Sequence, residues 1–187
     1  GHYLEITENS FTKTKYWDIS FSKKNKHDET KIKEELQQLL NECTKKRMIS
    51  DVPLGAFLSG GVDSSGIVAM MAQNSDSKVT TCSIGFDNEK FNETEFAKAV
   101  AEQFHTNHHE LTVHQNVKNS LEKIVSFFDE PFADPSLVPT FYVSELARQK
   151  VTVAIAVDGG DEVFAGYEKY ITDTIENNLR KHFPKII

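Results

Sequence analysis

From residue 54 onward the chain alternates between short apolar runs and segments whose apolar residues recur at helical spacing, and this alternation restricts the fold most. The strand-like runs are Leu54 to Leu58, Val79 to Ile84, His109 to Val113 and Val151 to Val157. Helical patterns lie between them, over Ser64 to Gln73, Glu93 to Phe104, Val117 to Phe128 and Thr140 to Gln149. Strands joined through helices at roughly 30-residue spacing run parallel, because the helix carries the chain back to the starting edge. The expected fold class is therefore α/β, a doubly wound parallel sheet flanked by helices. Val151 to Val157 is aliphatic at every position but Thr152, as a central strand covered on both faces should be. In the second of these helices the spacing assigns Phe96, Ala97, Val100 and Phe104 to the inner face. Sheets of this kind bind ligands beyond the carboxyl ends of their strands, near the point where strand order reverses. Two glycine-rich breaks, at 59–61 and 158–161, lie at such ends and are candidates for one shared site.

Ahead of this region, residues 1–22 read as extended, either a hairpin or a linker, and 22–28 form a polar hinge. Asp28 is suited to cap a helix carrying Ile32, Leu36, Leu39, Leu40 and Cys43, which should end near Arg47 to Ser50. A chain of 187 residues can build a hydrophobic core without disulfide or metal staples. Its net charge of −7 and lack of a dense basic run argue against nucleic acid or an anionic membrane as the main partner. No apolar run is long enough to span a bilayer, and no signal pattern opens the chain. Cys43 and Cys82 form neither a disulfide framework nor a metal spacing and read as buried, reduced thiols of a cytoplasmic protein.

The first break reads Leu58-Ser59-Gly60-Gly61-Val62-Asp63-Ser64-Ser65. A strand ends, two glycines turn the chain, and a helix begins. Glycine lets backbone N–H groups approach a ligand, and the helix N-terminus adds unpaired donors and a positive dipole end. The hydroxyls of Ser59, Ser64 and Ser65 add further donors, so phosphate is the natural guest. A bare strand-to-helix turn with Asp63 as a first-turn charge would also explain the glycines, but not the cluster of hydroxyls. No lysine follows the glycines, as it does in the P-loop. Asp63 would repel a polyphosphate unless a cation lay between them, and Mg²⁺ is the hard ion for that position. The second break, Asp158-Gly159-Gly160-Asp161-Glu162, offers another carboxylate to the same ion. Asp129 to Pro135 reads alone as an acidic surface turn, and His105, His108 and His109 lack a ligand spacing and read as structural.

In order along the chain, Ser50 to Ser65, Ser83 to Phe86, Asn92-Glu93, His108-His109-Glu110, Asp129 to Ser136 and Asp158 to Tyr167 resemble the N-type ATP pyrophosphatase (PP-loop) superfamily. Most closely they resemble the synthetase domain of glutamine-dependent asparagine synthetases and their β-lactam synthetase relatives. The likeness covers about Met48 to Tyr167. It implies that Ser59, Gly60, Gly61, Asp63, Ser64 and Ser65 hold the pyrophosphate of ATP, that Leu58 and Ile84 flank the adenine, and that Gly159 lies against AMP. It implies that Asp63 and Asp161 share Mg²⁺ and that Asp158 orients or deprotonates ammonia. The implied reaction makes asparagine from aspartate through an acyl-adenylate, with ammonia drawn from glutamine by a further domain. A homodimer is compatible with it. Residues 1–27 resemble the end of that glutaminase domain and a linker, and 28–187 an ATP-binding synthetase domain whose C-terminal part, with the family's lysine, is expected to be missing. Ala156-Val157 stand where the family usually has Ser-Gly, a change bearing on nucleotide affinity or choice of acid. The same likeness admits adenylation of another carboxylic acid, as in amidotransferases, or a nucleotide-binding remnant without activity.

Overall fold

The computed structural model describes residues 1–20, 22, 24, 26–88, 92–114 and 117–182. The chain divides into two compact units, residues 1–37 and 38–187. In the first, β1 (His2–Thr7) and β2 (Ser10–Lys15) form an antiparallel hairpin with Ile6 opposite Phe11, and the Tyr3 and Tyr16 rings stack at 6.4 Å. Of the two readings of this extended region, the hairpin is the one observed. The helix α1 (Glu29–Arg47) starts as expected: the Asp28 side chain accepts a bond from the Lys31 amide at 2.9 Å. The last turns of α1 belong to the second unit, where Asn41 Oδ1 accepts from Asn74 Nδ2 at 2.6 Å.

The second unit is a four-stranded parallel sheet. Its strands are β3 (Leu54–Phe57), β4 (Thr80–Phe86), β5 (Asn107–Val113) and β6 (Val153–Ile155), in the order β5-β4-β3-β6. Between them run α2 (Val62–Gln73), α3 (Thr94–Gln103), α4 (Val117–Val125) and α5 (Leu137–Arg148), followed by α6 (Gly160–Phe164) and α7 (Glu168–His182). Side chains alternate across the sheet, so each face has its own core. Ala56 and Leu58 pack with Val68 and Met71 of α2 and Ala97 and Ala101 of α3. On the other face Cys82 packs with Leu146 and Ala147 of α5 and with Val151, flanked by Phe57 and Ala154. Helices therefore cover both faces, as the doubly wound class requires. No helix among the described residues is long and apolar enough to cross a membrane.

Four expectations need correction. The aliphatic run 151–157 does not form a central strand: β6 has three residues, pairs only with β3 at the sheet edge, and leaves Val153 44% exposed. The buried centre is β3 and β4, and aliphatic character in the sequence does not say which neighbour covers a residue. In α3 the inner face is Ala97 and Ala101, while Phe96 is 67% exposed. Its backbone at Phe96–Ala97 lies so close to Gly60 that a β-carbon on Gly60 would overlap it. The strand β4 continues through Gly85 to Phe86, because the ladder with β5 runs on to the Phe86–Val113 pair. Finally, α5 starts at Leu137 and takes Pro139 into its first turn, where the missing N–H has no intrahelical partner to lose. Residues 183–187, the far end of the second expected domain, lie outside the described residues.

Candidate nucleotide site

Strand order reverses at β3: β4 and β5 extend the sheet to one side and β6 joins on the other. The breaks at 59–61 and 158–161 follow β3 and β6, the adjacent strands on either side of this switch. In the first break Gly60 has φ +87°, and a β-carbon there would sit 2.6 Å from the Ala97 amide nitrogen. Only glycine satisfies both demands. Gly61 is the N-cap of α2 and supplies no side-chain cap, so the first turn of this 12-residue helix presents its donors uncapped. The hydroxyls of Ser59 and Ser64 bond each other at 2.9 Å, and Ser59 Oγ also accepts from the Gly61 amide at 3.2 Å. Among the described residues, Ser65 Oγ is buried without a partner. A buried hydroxyl left unsatisfied costs about 1–3 kcal/mol, and a ligand oxygen can relieve it.

The second break meets the first through Asp63. A β-carbon on Gly160 would overlap the Asp63 carboxylate, whose Cγ would be only 2.7 Å away. The carboxylate of the first loop thus rests on the backbone of the second. Gly159 has φ +84° and opens α6, and the space beside it is empty out to Glu162 Oε2 at 4.0 Å. Asp158 and Asp161 are exposed. The Asp161 carboxylate folds back over Gly166, where a β-carbon would collide with it. A side chain at 166 would have to displace that carboxylate. Beyond these, the Tyr167 hydroxyl donates to Glu162 Oε1 at 2.8 Å, and this bond is the main cause pushing the phenol up to about 12.

Beside the first loop is a cavity of about 220 Å³, walled by Leu58, Ser59, Cys82 and Ile84 and closed by Glu93 and by Thr140 and Val143 of α5. That volume suits a flat base better than a whole nucleotide. Leu58 is buried and Ile84 half-buried, so both expected flanking residues belong to one cavity. Sequence reasoning gave Gly160 only a close backbone approach and assigned no site role to Gly166, Glu162, Tyr167, Glu93 or the α5 wall. The repeated glycines were the signal for Gly160 and Gly166. Of the three histidines, His108 has structural partners: it lies between Thr81 Oγ1 (2.9 Å) and Ser83 Oγ (3.2 Å), and burial lowers its pKa. Cys82 is buried, with its thiol pushed up by that burial, whereas Cys43 is only half-buried.

The sheet and the loop at its switch point define an adenine nucleotide alpha-hydrolase-like, PP-loop fold. The chain is similar in structure to NMN synthetase from Francisella tularensis, with a TM-score of 0.51 and 18% identity, covering 72% of this chain and 58% of that one. The sequence pattern named Asparagine synthase matches residues 35–185. A provisionally named glutamine-hydrolyzing asparagine synthetase 2 of Methanocaldococcus jannaschii is 41% identical over 98% of this chain and 36% of its own length. Asparagine synthetase (glutamine-hydrolyzing) 1 of Bacillus subtilis is 38% identical over 76% of this chain and 23% of its own. The chain belongs to the asparagine synthase family, and it spans about a third or less of the length of these relatives.

Proposed function

We propose that this chain is the ATP-using part of a carbon–nitrogen ligase that amidates aspartate to asparagine. The observation that carries the reading is the Asp63 carboxylate seated on Gly160, which joins the two glycine-rich loops beside a base-sized cavity. In this reading Leu58 and Ile84 flank the adenine. The uncapped α2 N-terminus with Ser59, Gly60, Gly61, Ser64 and Ser65 receives the pyrophosphate, and Gly159 lies along AMP. The donor set fits a hard cation, with Asp63 and Asp161 as the residues that would hold it. Bound Mg²⁺ would neutralise charge on the polyphosphate.

An oxygen of the aspartate side-chain carboxylate forms a bond to the α-phosphorus, and the bond to pyrophosphate breaks. Ammonia then bonds to the acyl carbon, AMP leaves with the former carboxylate oxygen, and Asp158 takes up the excess proton. The chain's contribution is preorganised donors around the leaving pyrophosphate, with no protein nucleophile. Glutamine is the ammonia source through a separate glutaminase domain. Ala156-Val157, standing where the family usually has Ser-Gly, motivate a second reading in which the same site adenylates a different carboxylic acid.

The test is pyrophosphate release by the 187-residue chain with ATP, Mg²⁺ and ammonium, comparing aspartate with other amino acids and dicarboxylates. Aspartate-dependent release supports asparagine synthesis. Release with another acid alone replaces aspartate by that acid. Lack of both release and any Mg²⁺-dependent ATP binding overturns the site itself.

A further inference from the structure

We infer that Tyr167 is a positioning residue that holds the second glycine-rich loop, and with it Asp161, in the shape the nucleotide site needs. The inference rests on the reading of that loop as part of an ATP site. Residues 158–167 make a turn with little burial to stabilise it: Asp158, Gly159, Asp161, Glu162, Ala165 and Tyr167 are all exposed. Two residues have positive φ, Gly159 at +84° and Ala165 at +58°. The second carries a β-carbon, so the left-handed conformation is disfavoured there unless surrounding bonds impose it.

Besides the helix's own bonds and the Ala165 amide, which caps it on Asp161 O, three further bonds close the turn. The Val163 amide donates to Gly159 O at 3.2 Å, the Gly166 amide donates to Asp161 O at 3.0 Å, and the Tyr167 hydroxyl donates to Glu162 Oε1 at 2.8 Å. The first two are backbone bonds. Among the described residues only the third joins the turn through side chains; it spans residues 163–166, with Ala165 and Gly166 among them, and starts beside Asp161. It also fixes the Glu162 carboxylate, whose other oxygen points toward Gly159, where a β-carbon would be 4.0 Å away. Without its phenol donor, Glu162 would be a free anion one residue from Asp161, able to compete for a cation or to repel a phosphate. The Tyr167 ring is itself placed by Tyr170, one turn into α7, at a centroid distance of 5.9 Å. The phenol therefore ties the loop to a regular helix.

The test compares Tyr167→Phe with the unaltered chain by hydrogen exchange at the Val163 and Gly166 amides and by Mg·ATP affinity. Tyr167→Phe should speed exchange at those two amides while leaving β3 and β4 protected. It should also lower Mg·ATP affinity by about five-fold, roughly the worth of one net hydrogen bond, with a smaller effect on ATP without Mg²⁺. Glu162→Gln keeps an acceptor and should retain most of the protection, whereas Glu162→Ala should behave like Tyr167→Phe. This pair decides the matter if the phenylalanine variant does not fold. Unchanged exchange in both Tyr167→Phe and Glu162→Ala overturns the inference, whatever the nucleotide does. Faster exchange in a chain that never binds Mg·ATP upholds the positioning role and removes the nucleotide reading instead.

Discussion

A methyl group added at three different glycines should have three different outcomes, because each glycine answers a different demand. At Gly60 the backbone has φ +87° and a β-carbon would press on the Ala97 amide. Backbone cannot yield as a flexible side chain does, so Gly60→Ala should destabilise by at least about 2 kcal/mol in denaturant unfolding. Gly66 sits inside α2 with open space where a β-carbon would go. There alanine relieves only the entropic cost of a helical glycine, and Gly66→Ala should stabilise by about 0.5–1 kcal/mol. At Gly160 the obstructing atoms belong to the Asp63 carboxylate, the movable end of a side chain. Gly160→Ala should leave the unfolding midpoint nearly unchanged and weaken Mg·ATP binding; unimpaired binding would count against a shared site.

His108 supplies a residue-scale prediction of another kind. Burial lowers its pKa below the ordinary 6.5, Glu110 opposes this, and His109 and Lys98 add to the lowering. A group with a depressed folded pKa leaves the unfolded chain holding more protons as pH falls. The neutral ring's contribution is therefore complete above about 6.5 and declines as pH drops through that value toward the folded pKa. Thermal melts between pH 7.5 and 5 should show this loss, and His108→Gln should flatten that part of the profile.

At the scale of elements, what could be read in advance was whatever lay contiguous in the chain. The Asp28 cap, the strand-to-helix junction after β3 and the loop after β6 are local patterns, and each fell where expected. That the two loops meet near Asp63 followed from the topology of open parallel sheets, although about a hundred residues separate them. The failures came from partners that a local pattern does not name. An aliphatic run reports a demand for burial, not which strand meets it, so β6 was placed centrally when it is an edge. Helical spacing marks a stripe on α3, but Ala97 and Ala101 are the residues of that stripe that reach the core, and Phe96 stays outside. The Glu162–Tyr167 bond crosses a non-helical turn, and no periodicity predicts it. These placements carry energies that can be measured. Met71, 1% exposed in α2, should lose about 2–5 kcal/mol on truncation to alanine. Phe96→Ala, despite the larger side chain, should stay within about 0.5 kcal/mol. Equal losses at both would restore Phe96 to the core and contradict the observed face.

For the whole molecule, every residue of the candidate site lies between Leu58 and Tyr167, inside the second compact unit. Among the described residues, the loops, the cavity walls named above and the carboxylates all belong to the second unit. A ligand that binds only the folded state stabilises it by RT ln(1 + [L]/Kd), about 2.7 kcal/mol at a hundred-fold excess over Kd. Mg·ATP should therefore raise the melting temperature of the 187-residue chain, and Asp63→Ala should remove the Mg²⁺-dependent part of the rise. A chain beginning at Asp28 keeps the cap of α1 and the whole second unit. It should show the same increment on adding Mg·ATP, even if its own melting temperature differs. Retention of the increment assigns nucleotide binding to residues 28–187. Its loss, with the shortened chain still folded by circular dichroism, would mean that the hairpin unit completes the site and that the functional division does not follow the structural one.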